Sequence, residues 1–223
     1  MSDAQNAFFD LAVSCGALRF GDFTLKSGRR SPYFFNAAAF ASGRAMMELG
    51  RLYARAVETA GLGYDMVFGP AYKGIPLAVA LTAGLALDYG RDVPYSFNRK
   101  ETKDHGEGGL TVGAPLRGRV LVIDDVISAG TSVGESARLI AEAGAVLAGV
   151  VIALDREERG AADRSATSEV TTRYQVPVVS LGRLSGLLAY LDRHDTLARH
   201  RQAIADYRAR YGVTDESTKP APE

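Results

Sequence analysis

A chain of 223 residues is long enough for one large domain or two small ones, and for a sizeable buried core. Apolar residues at 47% and charged residues at 23% are ordinary globular values. The 26 Lys and Arg offset the 26 Asp and Glu, which excludes a whole-molecule attraction to nucleic acid but leaves room for a local basic cluster that binds a small polyanion. Cys15 is the single cysteine, so an intrachain disulfide is excluded and a reducing, cytoplasmic setting is expected.

The N-terminal MSDAQNAFFD has no basic region ahead of an apolar run, unlike a secretory signal. The first ~20 residues read as an amphipathic helix, with Phe8, Leu11, Ala12 and Cys15 at helical spacing. The segment Thr24 to Asn36 (TLKSGRRSPYFFN) is β-like with a turn at Ser27-Gly28, and Gly43 to Ala60 reads as a helix closed by Gly61. A strand over Asp65 to Phe68 runs into GPAYKG. The apolar stretch Ile75 to Leu87 is shorter than the ~20 residues of a membrane span and is expected to be a helix buried against a sheet. Next come a strand at Pro94 to Phe97 with a charged loop behind it, a strand at Arg119 to Ile123, a helix over Ser132 to Ala143, and a continuous apolar strand at Val146 to Leu154. Val176 to Ser180 reads as a further strand, and Leu184 to Leu191 and Thr196 to Tyr211 as helices. The tail from Val213 to Glu223 is polar, proline-rich and expected to be disordered. Apolar strands alternating with helices imply an α/β fold with a mostly parallel sheet flanked by helices.

In such sheets ligands bind beyond the carboxyl ends of the strands. Three unusual segments follow strand ends: GPAYKG, NRKETKDHGEGG and DDVISAGTS. In VLVIDDVISAGTS, Asp124 and Asp125 end a buried strand, where adjacent carboxylates resist ionising unless hydroxyl donors or a cation lie near them. The following small residues enter a helix whose backbone N–H groups and dipole suit a phosphate, with Thr131 and Ser132 adding hydroxyls. Hydroxyls or metal at one end and phosphate at the other describe a sugar phosphate. The bland alternative is an acidic turn before an ordinary helix, and the ATPase loop GxxxxGK[ST] is absent. In GPAYKG two glycines flank a turn presenting Tyr72 and Lys73, suited to a second phosphate group, or simply a turn with a surface lysine. Arg99, Lys100, Lys103 and His105, followed by three glycines in four residues, read as a cationic mobile lid, or as a solvated charged loop.

VLVIDDVISAGTS resembles the phosphoribosyl pyrophosphate (PRPP) signature of the type I phosphoribosyltransferases, and RKETKDHGEGG resembles the catalytic lid of the orotate-using branch of that family. The resemblance covers about residues 5 to 212. It implies one domain over residues 1–212, with a β-rich hood at about 17–40 over the active site. It also implies Mg²⁺-dependent transfer of ribose 5-phosphate from PRPP to orotate, a step of pyrimidine synthesis.

Carried over residue by residue, Asp124 and Asp125 hold the ribose hydroxyls and meet metal only indirectly. Val126, Ile127, Ser128, Ala129, Gly130, Thr131 and Ser132 hold the 5′-phosphate. Tyr72, Lys73, Arg99, Lys100, Lys103, His105 and Lys26 serve PRPP and its pyrophosphate, with Lys103, Lys73 and the two aspartates as the catalytic set. Lys26, Phe34, Phe35, Ser128 and Arg156 face orotate, the arginine through the orotate carboxylate. Ser128 departs from the threonine common in the family. The resemblance further implies a homodimer in which Arg99, Lys103 and His105 reach the neighbouring site, and no nucleic-acid or membrane partner. A purine-using member of the same fold and a non-catalytic PRPP-sensing regulator are the alternatives.

Overall fold

The computed structural model describes residues 2–25, 28–103, 109–127, 130–160 and 163–213, and leaves the side chains of 101–103 and 109 aside. The expected disordered tail beyond Val213 lies outside the described residues.

Helix α1 (Asp3–Ser14) starts where the Ser2 hydroxyl accepts the Gln5 N–H, and it buries Phe8, Phe9, Leu11 and Ala12. Strands β1 (Leu18–Thr24) and β2 (Arg30–Phe35) form an antiparallel hairpin of their own, with an irregularity between Phe20 and Phe23. Helix α2 (Gly43–Thr59), capped by Ser42, packs against α3 (Gly74–Tyr89), which ends at Gly90 in the left-handed conformation.

The main sheet has six strands, β3 (Met66–Gly69), β4 (Tyr95–Lys103), β5 (Gly109–Gly113), β6 (Arg119–Asp124), β7 (Val146–Asp155) and β8 (Val178–Arg183), in the order β5-β4-β3-β6-β7-β8. All neighbouring pairs are parallel except β4 with β5. Helices α4 (Thr131–Glu142), α5 (Ala166–Tyr174), α6 (Leu184–Leu191) and α7 (Arg201–Tyr211) complete the chain.

The two-residue period of a strand explains why VLVI is apolar throughout. Leu121 and Ile123 enter a core shared with α1, α2, α3, α6, α7 and the hairpin, while Val120 and Val122 enter a second core with Val133, Ile140 and Val170 of α4 and α5. The hairpin contributes Leu18, Tyr33 and Phe35 to the first of these cores, so it is packed onto the sheet domain.

One sequence expectation changes, one helix was not foreseen, and one is refined. The charged loop after Phe97 is largely strand: β4 continues to Lys103 and pairs with β5 through Phe97↔Val112, Asn98↔Thr111 and Lys103↔Gly109. Such a ribbon is held by backbone hydrogen bonds, which any of these residue types can make, so no apolar alternation marks it. Helix α5 gave no periodic signal because its Val and Thr favour strands and it buries only Val170; the Ser165 hydroxyl caps it. Helix α3 lies against the sheet as expected and leaves one face open. Leu77, Ala78, Leu81 and Leu85 enter the core, whereas Val79 is 42% and Leu87 65% exposed.

At the α2–α3 crossing, a Cβ on Gly50 would lie 2.2 Å from the Ala80 carbonyl oxygen. Alanine's helix-propensity gain over glycine, about 1 kcal/mol, is smaller than the cost of separating two backbones. Gly50→Ala is expected to destabilise the protein by about 2 kcal/mol and to lower Tm by roughly 4–8 °C. Thermal unfolding checks this, and a raised Tm would contradict the crossing geometry.

Candidate active site

Strands β3, β4, β6 and β7 run in one direction, so their carboxyl ends share one edge of the sheet. The turn Gly69–Gly74 leaves β3, the aspartate pair ends β6, and Arg156 follows β7.

Asp124 and Asp125 are 8% and 4% exposed. Fixed donors surround them. The Asp125 N–H donates to Asp124 Oδ1 at 2.9 Å, and the Ser132 hydroxyl donates to Asp124 Oδ2 at 2.7 Å. The Val126 N–H donates to Asp125 Oδ1 at 3.0 Å, and Lys73 Nζ meets Asp125 Oδ2 at 2.6 Å. The Tyr53 hydroxyl, from α2, donates to the Asp124 carbonyl at 2.9 Å; burial pushes its pKa up, so it stays a neutral donor. Burial pushes the Asp124 carboxyl from 3.8 up to about 6; the Ser132 hydroxyl pulls the other way and the Asp125 charge adds to the rise.

Helix α4 begins at Gly130, which has no side chain to cap its first turn, and Ser132 in that turn holds Asp124. Its amino end therefore lies beside the aspartates and offers backbone N–H groups to an anion. Thr131 is exposed there. The side chains of Val126 and Ile127 are packed inward against the two cores, so what they can offer a ligand is main chain. Ser128 and Ala129 lie outside the described residues.

The turn after β3 is tight. A Cβ on Gly69 would stand 2.1 Å from the Gly74 carbonyl oxygen, and one on Gly74 would stand 2.6 Å from Pro70 Cδ, so both positions require glycine. The Ala71–Tyr72 peptide is cis, and the Ala71 N–H donates to the Asn98 side chain of β4 at 2.7 Å. Tyr72 projects into solvent with Lys100 Nζ 5.0 Å from its ring centroid. Arg99 is half-buried on β4. Lys103 ends β4, but its side chain, like His105 and Lys26, falls outside the described residues.

The hairpin separates the two phenylalanines. Phe35 is 8% exposed and packs on Phe8 and Phe40, on the inner side of the hairpin. The split follows from the alternation of strand side chains. Phe34 points the other way, 5.5 Å from the Phe23 ring centroid and beneath the Arg19 guanidinium. Arg156 lies over the buried Tyr33 ring, 4.9 Å from its centroid, and its Nε donates to Glu158 at 2.7 Å.

The edge thus gathers a carboxylate pair, a helix amino end, a lysine-bearing turn and a partly buried guanidinium. Tyr53 and Asn98 escaped sequence reading because each bonds a partner far along the chain, and Glu158 because two of its three donors come from distant elements.

A phosphoribosyl transferase domain model matches residues 39–185. The chain is 54% identical over 214 residues to the orotate phosphoribosyltransferase of Nitrosococcus oceani, covering 96% of this chain and 97% of that protein. It is equally 54% identical to that of Marinobacter nauticus, over 96% of this chain and the whole of the relative. The chain belongs to the orotate phosphoribosyltransferase family. The crystal structure of the Francisella tularensis orotate phosphoribosyltransferase superposes with a TM-score of 0.82 at 40% identity, over 92% of this chain and 98% of the other. The matched domain contains the β3 turn, the aspartate pair and Arg156. The orotate phosphoribosyltransferase relatives, unlike the domain model, also cover the hairpin.

The raised pKa of Asp124 sets a pH dependence. Between 3.8 and about 6 the folded state keeps a proton that the unfolded chain has lost, so stability present below this window is lost as pH rises through it. Urea unfolding is expected to show wild type losing about 2 kcal/mol more than Asp124→Asn between pH 4 and pH 7. An unchanged difference would remove Asp124 as the titrating group.

Proposed function

We propose that the protein transfers ribose 5-phosphate from PRPP to N1 of orotate, giving orotidine 5′-monophosphate and pyrophosphate, as a cytoplasmic enzyme of pyrimidine synthesis. The observation that carries this reading is the placement of Asp124 and Asp125 between the amino end of α4 and the Lys73 turn. Family membership supplies the base.

In this reaction the C1–O bond to pyrophosphate breaks, the bond from C1 to orotate N1 forms, and the N1 proton is lost. Positive charge grows at C1 as the bonds exchange. Asp124 and Asp125 accept the ribose 2′ and 3′ hydroxyls and set negative charge near that carbon. The N–H groups of residues 126–132, with the Thr131 and Ser132 hydroxyls, hold the 5′-phosphate. Lys73 and Tyr72 meet the pyrophosphate, and the lid residues Lys103, His105, Arg99 and Lys100 cover it. Lys26, Phe34, the main chain at Phe35, Ser128 and Arg156 frame the orotate.

Among the described residues no group of three or more His, Cys, Asp or Glu side chains could hold a metal. The adjacent carboxylates of Asp124 and Asp125 instead fit a Mg²⁺ ion bound chiefly by PRPP oxygens, touched by the protein through ribose hydroxyls or water. Bound there, the ion would neutralise charge on the pyrophosphate.

We take residues 1–212 as one catalytic domain, because hairpin and sheet share a core. We also propose a homodimer that uses the outer face of α3. A helix apolar on every side belongs in an interior. Pro76, Val79, Ala83 and Leu87 instead form an exposed stripe at helical spacing, beginning beside Lys73. Lid residues of one protomer would serve the other's site.

The deciding experiment is an absorbance assay of orotate with PRPP and Mg²⁺, with uracil and adenine as controls. Orotate should be consumed and the controls spared; unconsumed orotate would refute the reading. Lys103→Ala should lower kcat at least about 100-fold while changing PRPP KM much less, since lid contacts tighten in the transition state. An unchanged kcat would exclude that role. Leu87→Asp should shift the sedimenting mass from dimer toward monomer, and a dimer unaffected by it would place the interface elsewhere.

A further inference from the structure

The loop after β7 presents Arg156 and also carries the group that holds it. Glu158 Oε1 accepts from Arg156 Nε at 2.7 Å and from the Tyr207 hydroxyl of α7 at 2.8 Å. Its Oε2 accepts from Arg29 Nη1 at 3.2 Å. Arg29 follows the turn of the hairpin, donates its Nη2 to the Arg159 carbonyl at 3.0 Å and lies over the Tyr211 ring. One mostly buried carboxylate therefore takes donors from three separate elements: the loop after β7, helix α7 and the hairpin.

We propose that Glu158 is a positioning residue, one that fixes the guanidinium plane of Arg156 for a carboxylate-bearing planar ligand and registers the hairpin above it. The inference rests on the proposed orotate reaction.

A guanidinium partly buried beside Tyr33 needs a counter-charge. Glu158 supplies it at one edge of the fork only. Arg156 Nη2 lies 2.6 Å from Glu158 Oε1, yet it makes no hydrogen bond of acceptable geometry among the described residues. The Tyr33 ring, wholly buried, lies under the same guanidinium, and its hydroxyl is also without a partner among the described residues. The arginine is thus held by Glu158 along its Nε–Nη2 edge and backed by an aromatic face, so its guanidinium plane is fixed. A carboxylate in the plane of a ring suits a guanidinium whose plane is set in advance, because two parallel N–H···O bonds need the planes aligned. A neutral base of the same shape gains nothing from it.

The mechanism places Glu158 away from the ligand, so its effect must pass through Arg156, and a double-mutant cycle separates this from general structural damage. With PRPP saturating, Glu158→Gln is expected to raise the orotate KM about tenfold while PRPP KM stays within about twofold. In an Arg156→Ala background the same substitution should change the orotate KM less than about twofold. The proposal is overturned by any of three results: an orotate KM unmoved or lowered by Glu158→Gln, an equal rise in both KM values, or an equal rise with and without Arg156. Should Glu158→Gln fail to fold, Tyr207→Phe removes one donor to the same oxygen and should raise the orotate KM alone by about threefold. No rise would again overturn it. If Arg156→Ala leaves the orotate KM of an active enzyme unchanged, the positioning role falls while the reaction stands. If wild type does not consume orotate, both fall.

Discussion

Two carboxylates held out of water at the end of one strand set the terms for everything around them. Asp124 and Asp125 lie where solvent cannot screen them, and each is favoured as an anion only by donors placed in advance. Those donors are Ser132 on α4, Lys73 before α3 and the main-chain N–H groups of Asp125 and Val126, while Tyr53 on α2 holds the Asp124 carbonyl. Three helices are thereby tied to the end of β6. The Gly69–Gly74 turn must be as tight as it is for Lys73 to stand over Asp125. The donor set around Asp124 holds hydroxyl and amide donors but no cation among the described residues, and burial leaves its carboxyl with a raised pKa.

Much of this was legible because it is local in sequence. VLVI followed by DD and small residues predicts a buried strand, an acidic end and a helix start, and β6 and α4 occupy those places. What was illegible was either non-local or backbone-driven. Nothing near Tyr53 marks it as a donor to a carbonyl 71 residues on. The continuation of β4 and its pairing with β5 depend on main-chain hydrogen bonds between polar segments, which leave no apolar pattern. Phe34 and Phe35 show the intermediate case. Strand alternation required the two rings to part, but only the packing of Phe8 and Phe40 decides that Phe35 is the inner one. Arg156 gained meaning from family resemblance alone, and Glu158, two residues on, from packing alone.

The same physics operates at the two ends of the proposed substrate. Toward the base, Arg156 is partly buried and paired along one edge, its partner fixed by α7 and the hairpin. Toward pyrophosphate, Lys73 is about half exposed and its flexible stem carries a point charge. A planar fork locked in place suits a rigid carboxylate that must be recognised before reaction. A mobile ammonium suits a group whose charge grows as it leaves.

Lys73 links this contrast to the aspartates. It pairs with Asp125 at 2.6 Å. When a polyphosphate takes a share of that ammonium, Asp125 loses part of its counter-charge as ribose hydroxyls arrive to donate to it. One cation can serve both because the exchange keeps a donor on each oxygen throughout, so neither anion is left bare in a low-dielectric site. On the proposed reaction, binding of the sugar and of the pyrophosphate would be coupled through this single side chain, and a ligand with only one of the two groups would disturb the pair without completing it.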